Sequence, residues 1–277
     1  MLKFIQIVVH HYRLLLLAIV VLLASCSKNE DSLVDRKTIR LMSYNVGVFN
    51  KYIKDDYAFV ADVIKEAKAD AVCLNELDSC AKRTGRVFQI ERLAEILGGW
   101  YNFFAPAISY GGGKYGEGIV SSLRPITKEY IPLEQSVGAE ARTLAIVEFE
   151  DFVLCCTHLD HTSTKAREDQ AQKIIVELKK RYMYSNKPVF LGGDFNSKPT
   201  SVAVKMIENW FDRLTPDDYT YSTKNPYQCI DHIFVLRNQA KVSVVSSKVI
   251  TSSDYCDITR VSDHFPVFLE VSIETPL

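Results

Sequence analysis

Val189-Phe190-Leu191-Gly192-Gly193-Asp194-Phe195-Asn196 sets how the rest of the chain is read. Apolar, β-favouring residues run into an acid and an amide, so a buried strand delivers polar groups at its C-terminal end. The pattern recurs along the chain. Leu41-Met42-Ser43-Tyr44 delivers Asn45, and Ala71-Val72-Cys73-Leu74 delivers Asn75, Glu76 and Asp78. Phe152-Val153-Leu154-Cys155-Cys156 runs into Thr157-His158-Leu159-Asp160-His161. Ile230-Asp231-His232-Ile233-Phe234 holds an acid inside an apolar stretch, and Ser262-Asp263-His264-Phe265-Pro266 precedes the last expected strand. In layered α/β folds, rigid strands aim such terminal residues into one crevice.

The segments between these strands carry helical periodicity. Phe59, Val60, Val63, Ile64 and Ala67 predict a helix over 56–68. Val87, Ile90, Leu93, Ala94 and Leu97 mark a second, stopped by Gly98-Gly99. β-rich pieces follow near 101–106, 117–123, 128–132, 142–149 and 152–157. The second half repeats the arrangement, with a helix over 164–183 capped by Thr162 or Ser163. A strand at 189–191, a helix near 201–210 and strands near 230–236, 241–250 and 266–272 complete it. The expected fold is α/β, with two packed sheets and helices outside. No Pro/Gly/Ser-rich linker divides 39–275, which reads as one domain. Tyr110 to Gly118 contains Gly111, Gly113 and Gly116 in a GxGxxG spacing, but a strand rather than a helix follows. It reads as a mobile turn at a rim, with Lys114 and Tyr115 as candidate substrate contacts.

The composition is that of a globular protein: 277 residues, 47% hydrophobic, 24% charged, 12 Gly and 9 Pro. Disordered, collagen-like and coiled-coil classes are excluded. With 33 basic against 34 acidic side chains, no broad cationic field exists to hold long nucleic acid. Lys3 and Arg13 flank a positive leader, and Leu14 to Leu23 is an apolar run too short to span a ~30 Å bilayer core. It ends Leu23-Ala24-Ser25-Cys26, which resembles the lipobox of bacterial lipoproteins. The resemblance implies cleavage before Cys26 and acylation of its thiol. Residues 1–25 are then a signal peptide and 26–38 a flexible tether. The expected location is the bacterial cell envelope, lipid-anchored at Cys26, with surface export open. Loss of residues 1–25 removes two basic and no acidic side chains, leaving a net charge of −3. Of the seven Cys, Cys73, Cys155, Cys156 and Cys229 sit in apolar runs and read as buried free thiols; no zinc-ligand spacing appears.

The order and wording of the strand ends resemble the endonuclease/exonuclease/phosphatase family over about residues 39–272. Gly193-Asp194-Phe195-Asn196 and Ser262-Asp263-His264-Phe265-Pro266 are the most specific matches, supported by Thr157-His158-Leu159. The resemblance implies a four-layer α/β/β/α sandwich of two mixed sheets. It also implies Mg²⁺- or Mn²⁺-dependent hydrolysis of phosphoesters by water. Glu76 matches the family's metal carboxylate, with Asn45 beside it and Asp263 adding a metal or water contact. Asp194 matches the residue that orients or deprotonates the attacking water. Asn196, two positions on in an extended segment, is expected on the same side. His158 and His264 match the histidines at the scissile phosphate, one or both donating to its oxygens. Asp231 matches the carboxylate that orients His264. Arg142 is a candidate phosphate contact or a surface ion-pair member. His161 and Arg167 resemble a subset of secreted members, and His232 stands where many relatives have an aromatic residue.

The near-minimal size, the lack of a duplex-wrapping insertion and the net charge favour a phosphodiesterase acting on a small or lipid-derived substrate. An extracytoplasmic nuclease comes next, so nucleic acid is a possible but not favoured partner. A non-catalytic surface-binding lipoprotein on the same fold is the contrasting reading. A monomer is expected.

Overall fold

In the computed structural model, which describes residues 35–133 and 136–275, side-chain alternation along each strand divides the apolar residues between layers of core. In β1 (Asp35–Asn45), Met42 and Tyr44 face an outer core, whereas Ile39 and Leu41 face an inner one. Helix α1 (Tyr57–Glu66), β2 (Ala71–Ser79), α2 (Gln89–Ile96), β3 (Tyr101–Tyr110) and β4 (Gly113–Ser121) follow. Then come β5 (Thr127–Pro132), β6 (Thr143–Glu148), β7 (Val153–His158), α3 (Thr164–Tyr182) and β8 (Val189–Asp194). The chain continues through α4 (Val202–Glu208), β9 (Phe211–Arg213), β10 (Asp231–Leu236), β11 (Val242–Val249) and β12 (Val267–Thr275).

One six-stranded sheet has the order β11-β12-β1-β2-β4-β3, the other β5-β6-β7-β8-β10-β9. Helices α1 and α2 cover the outer face of the first through Val60, Ile64, Ile90 and Leu93. Helices α3 and α4 cover the second through Ile174, Leu178, Val204 and Ile207. Between the sheets lies a third core, including Leu41, Cys73, Leu154, Cys156, Phe190 and Leu269. Three cores between four layers give the α/β/β/α sandwich. Lys37–Ile273 forms one compact unit. The expected signal peptide, Cys26 and most of the expected tether lie outside the described residues.

Register carries the functional residues to one end. Parallel β1 and β2 align Asn45 with Asn75. Parallel β7 and β8 align His158 with Asp194, and antiparallel β10 sets Asp231 opposite Asp194. Residues from both sheets therefore arrive at the same mouth of the sandwich.

The glycine-rich segment differs from expectation. Tyr110 to Gly118 is not a mobile rim turn: β3 and β4 form a continuous hairpin that turns at Gly111-Gly112. A Cβ on Gly116 would sit 2.1 Å from the Ala105 carbonyl oxygen, so this glycine marks close backbone approach rather than mobility. Strand β1 also starts at Asp35 rather than Ile39. Cys73, Cys155, Cys156 and Cys229 are buried free thiols.

His232 fills an aromatic position. Its ring lies 5.6 Å from Phe195 and 5.7 Å from Phe234, and its Nε2 is 3.0 Å from the Ser197 carbonyl oxygen, to which it donates. Burial pushes its pKa from 6.5 down to about 4. Between those values the unfolded chain binds a proton that the folded chain refuses, so stability falls as pH drops through the window. The loss at this site should approach about 3 kcal/mol by pH 4. Urea unfolding near pH 7 and near pH 4.5 should show a smaller pH-dependent loss in His232→Phe than in the parent.

Candidate active site

The strand ends enclose a cleft of about 460 Å³. Glu76, Asp194 and Asp263 supply carboxylates to its lining, together with His158, His264, Arg142, Tyr115 and Tyr221. Glu76 reaches it through a break in pairing: the β2–β4 register shifts between Leu74 and Leu77, and Glu76 has φ 59°. A left-handed conformation costs a non-glycine residue roughly 1–2 kcal/mol, and here it turns the carboxylate out of the sheet.

Asn45 joins two of the carboxylates. Its Nδ2 donates to Glu76 Oε1 and to Asp194 Oδ2, both at 3.1 Å. Its Oδ1 accepts from Gly47 N at 3.1 Å, and because that backbone group can only donate, the amide orientation is fixed. Asn45 therefore presents N–H groups to Glu76 and Asp194, not the carbonyl oxygen a direct metal ligand would offer. Asn75 binds the sheets together beneath the site. Its Nδ2 donates to Thr157 O at 2.8 Å, and its Oδ1 accepts from Asp194 N at 3.0 Å.

The two histidines occupy opposite environments. His264 Nδ1 lies 2.9 Å from Asp231 Oδ2. Burial alone would lower the His264 pKa, but the charges of Asp231 and Asp194 outweigh it and raise it to about 10. His264 is thus an imidazolium near neutrality. His158 goes the other way: burial, then the charge of Arg142, hold it well below 6.5 and neutral. Asn196 Nδ2 donates to Leu159 O at 3.0 Å and lies 2.9 Å from His158 Nε2, which accepts. Asp194 Oδ2 is 3.5 Å from His158 Nε2 and 3.6 Å from His264 Nε2. Burial, with Asp231 adding to it, pushes the Asp194 carboxyl up to about 7. Opposed charge states in adjacent titratable groups are the arrangement acid–base chemistry needs.

Asn196 reaches His158 by a different route from the one expected. Asp194 Oδ1 accepts from Asn196 N at 2.8 Å, and Asn196 is left-handed at φ 46°. The segment is a turn rather than an extended strand. Lys114 does not line the cleft: it alternates with Tyr115 along β4, is exposed, and donates to Ser109 Oγ at 2.8 Å. Tyr115 does line it. Arg142 is buried at the cleft, paired to Glu140 at 3.0 Å, with its Nε free of any hydrogen-bond partner. His161 and Arg167 also line the cleft, Arg167 donating to Asp160 O at 3.0 Å.

The sequence reading missed Tyr221, whose ring lies 4.9 Å from His264, as well as Lys51 and Glu117. Lys51 pairs with Asp263 at 2.5 Å, and it lies in a polar loop with no periodic signal. Glu117 is fully buried with neither carboxylate oxygen hydrogen-bonded, and burial raises its pKa to about 8 against the pull of Arg142. Its signal was an acid between two glycines in an apolar strand.

Among the described residues one cluster of three donors lies close enough to hold a cation, and two further carboxylates line the same cleft. Asp194, Asp231 and His264 place ligand atoms within 4.8 Å of one another. Asp231 Oδ2 and His264 Nδ1 are already committed to each other, which weakens that set for metal. Glu76 and Asp263 also line the cleft with oxygen donors, the chemistry that Mg²⁺ and Mn²⁺ prefer, with Asp263 Oδ2 paired to Lys51 and Glu76 Oε1 accepting from Asn45.

Residues 42–264 match the profile of the endonuclease/exonuclease/phosphatase family. No curated protein matches the chain. Among solved structures, a family protein from Bacteroides thetaiotaomicron is 19% identical with a TM-score of 0.67, covering 86% of this chain and 96% of that one. The mannosyl-6-phosphatase of Bacteroides thetaiotaomicron VPI-5482 is 20% identical with a TM-score of 0.66, covering 84% and 99%. The catalytic domain of human Nocturnin is 17% identical with a TM-score of 0.65, covering 89% and 99%.

Asn75→Ala would strand the Asp194 N–H and the Thr157 carbonyl inside the protein. The expected cost is about 2–3 kcal/mol, read as a lower urea midpoint, together with a fall in turnover. An unchanged midpoint would remove Asn75 from its bridging role.

Proposed function

This chain belongs to the endonuclease/exonuclease/phosphatase family, whose members hydrolyse phosphoesters, and we propose that it is a divalent-metal-dependent phosphodiesterase for a small or lipid-derived substrate. The observation that carries this reading is the contact of Asp194, titrating near 7, with His264, held as an imidazolium by Asp231. Asp194 orients the attacking water and accepts its proton. His264 donates from Nε2 to a phosphoryl oxygen and neutralises charge that grows in the transition state. His158, neutral and accepting from Asn196, holds the amide in place rather than donating itself. Arg142 adds a second fixed cation at the cleft wall.

Glu76 and Asp263 would hold Mg²⁺ or Mn²⁺, with Asn45 positioning Glu76. When bound, such an ion polarises a phosphoryl oxygen and orients the ester. The small cleft and the net charge of −3 after residue 25 favour a compact substrate. One observation supports the nuclease reading: Lys82 and Arg86 converge on Gly112 at the β3–β4 turn, a local cationic patch. Salt dependence separates the two, since contact with several phosphates makes binding fall steeply as salt rises. We further propose attachment to a bacterial membrane through Cys26, on the strength of the Leu23-Ala24-Ser25-Cys26 sequence.

The test is hydrolysis of bis-p-nitrophenyl phosphate, p-nitrophenyl phosphate, mannose 6-phosphate, plasmid DNA and mixed phospholipids, with Mg²⁺, Mn²⁺ or EDTA. Turnover should vanish in EDTA and in Glu76→Ala, and fall at least about 100-fold in Asp194→Asn. Retained turnover in EDTA would overturn the metal reading. The rate should also decline as pH rises through about 10, where His264 loses its proton. Asp231→Asn removes the charge that raises this pKa, so the alkaline limb should move toward neutral pH. A pH profile identical to the parent would remove His264 as the donor.

A further inference from the structure

Strands β1, β2, β7 and β8 end at the cleft, so their first residues mark the opposite pole. There Lys37 pairs with Asp151 at 2.5 Å, in the turn between β6 and β7. Phe149 O, in the same turn, accepts from Lys187 Nζ at 2.9 Å, and Lys187 N donates to Ser185 Oγ at 3.0 Å. This series of contacts connects the residue where the chain joins the domain to the C-terminal end of α3.

Beside that end lies a groove of about 450 Å³, lined by Val176, Lys179, Lys180, Met183, Tyr184 and Trp210 among others. Tyr184 is 88% exposed, Val176 48% and Trp210 39%. The Lys179 ammonium lies over the Trp210 ring. Nearby acids are already paired: Glu177 with Lys173 and Arg181, Glu208 with Lys205 and Arg213, and Asp212 with Arg237. Among the described residues neither Lys179 nor Lys180 has a carboxylate partner. Amphipathic rings with uncompensated lysines on apolar stems suit a membrane–water boundary. The free charges add attraction to anionic headgroups.

We infer that this surface rests on the headgroup layer of an anionic bilayer, with the cleft at the far ends of the strands opening to the aqueous side. The inference rests on the attachment at Cys26 proposed above. Lys37 lies eleven positions after Cys26, a reach of at most about 40 Å, which keeps this pole close to an anchoring membrane.

Trp100 and Trp210 are the two tryptophans of the chain, so Trp100→Phe leaves Trp210 as the single reporter. The processed chain, acylated at Cys26 and beginning there, is bound to phosphatidylglycerol–phosphatidylethanolamine vesicles whose acyl chains are brominated near the headgroups. Flotation and Trp emission are then read, with circular dichroism to verify folding. The expected result is flotation with loss of Trp210 emission relative to unbrominated vesicles. Adding Lys179→Glu and Lys180→Glu should preserve flotation and restore emission. A chain that floats with Trp210 unquenched, or quenching that survives both charge reversals, would overturn this surface while leaving the attachment standing. Absence of flotation would remove the attachment and the surface with it.

Discussion

The Asn75 side chain is the link on which the cleft depends. Apolar burial between the sheets is strong but non-directional, so it tolerates sliding of one sheet over the other. The Asn75 amide is directional: it ties β2 of one sheet to Thr157 O and Asp194 N of the other. Its neighbour Glu76 is thereby registered against Asp194, and Asn45 ties the same pair from β1. Gly193 makes the approach possible. At φ +147°, any Cβ there would sit 1.9 Å from Thr157 O, the oxygen that Asn75 uses.

The charges of the site follow from this closure. Asp194, Asp231, His158, His264 and Arg142 are all withdrawn from water, so burial and charged neighbours act together at the site. His264 lies between two carboxylates and keeps its proton; His158, buried and facing Arg142, gives its proton up. The same amino acid thus holds two charge states a short distance apart. Glu117 extends the logic behind Arg142, since its unbonded carboxyl can lie in so dry a place only by titrating near 8.

The residues that could be read from sequence are those that periodicity places. Alternation located the strands beside which Asn45, Glu76, His158, Asp194, Asp231 and His264 lie: Asn45, His158 and Asp194 end strands, Asp231 opens one, His264 precedes one and Glu76 sits at a break in pairing. The helices covering each sheet were legible for the same reason, as was the cap at Ser163, whose side chain accepts from Ala166 N. Residues whose placement depends on tertiary contact were not. Lys51 reaches Asp263 from a loop without periodicity, and Lys114 looked equivalent to Tyr115 until the hairpin fixed which face each takes. The difference between the two histidines lies in their partners, which arrive from distant parts of the chain.

Two of the left-handed non-glycine residues, Glu76 and Asn196, sit at the cleft itself. A glycine at either position would relieve the backbone and delete the functional group. Side chain and strain therefore come as one requirement. Asn196 is held by the Asp194 carboxylate and the Leu159 carbonyl, and Glu76 by Asn45, so the conformations are over-determined by hydrogen bonds. Asp194 consequently has two duties, fixing the turn through Oδ1 and facing both histidines through Oδ2. An isosteric amide at this position would still accept from Asn196 N through its oxygen, but its NH2 would face the Asn45 Nδ2 donor and the His264 imidazolium, so the link to Asn45 would go with the proton acceptor. The geometry and the acid–base character of the site cannot be altered independently there.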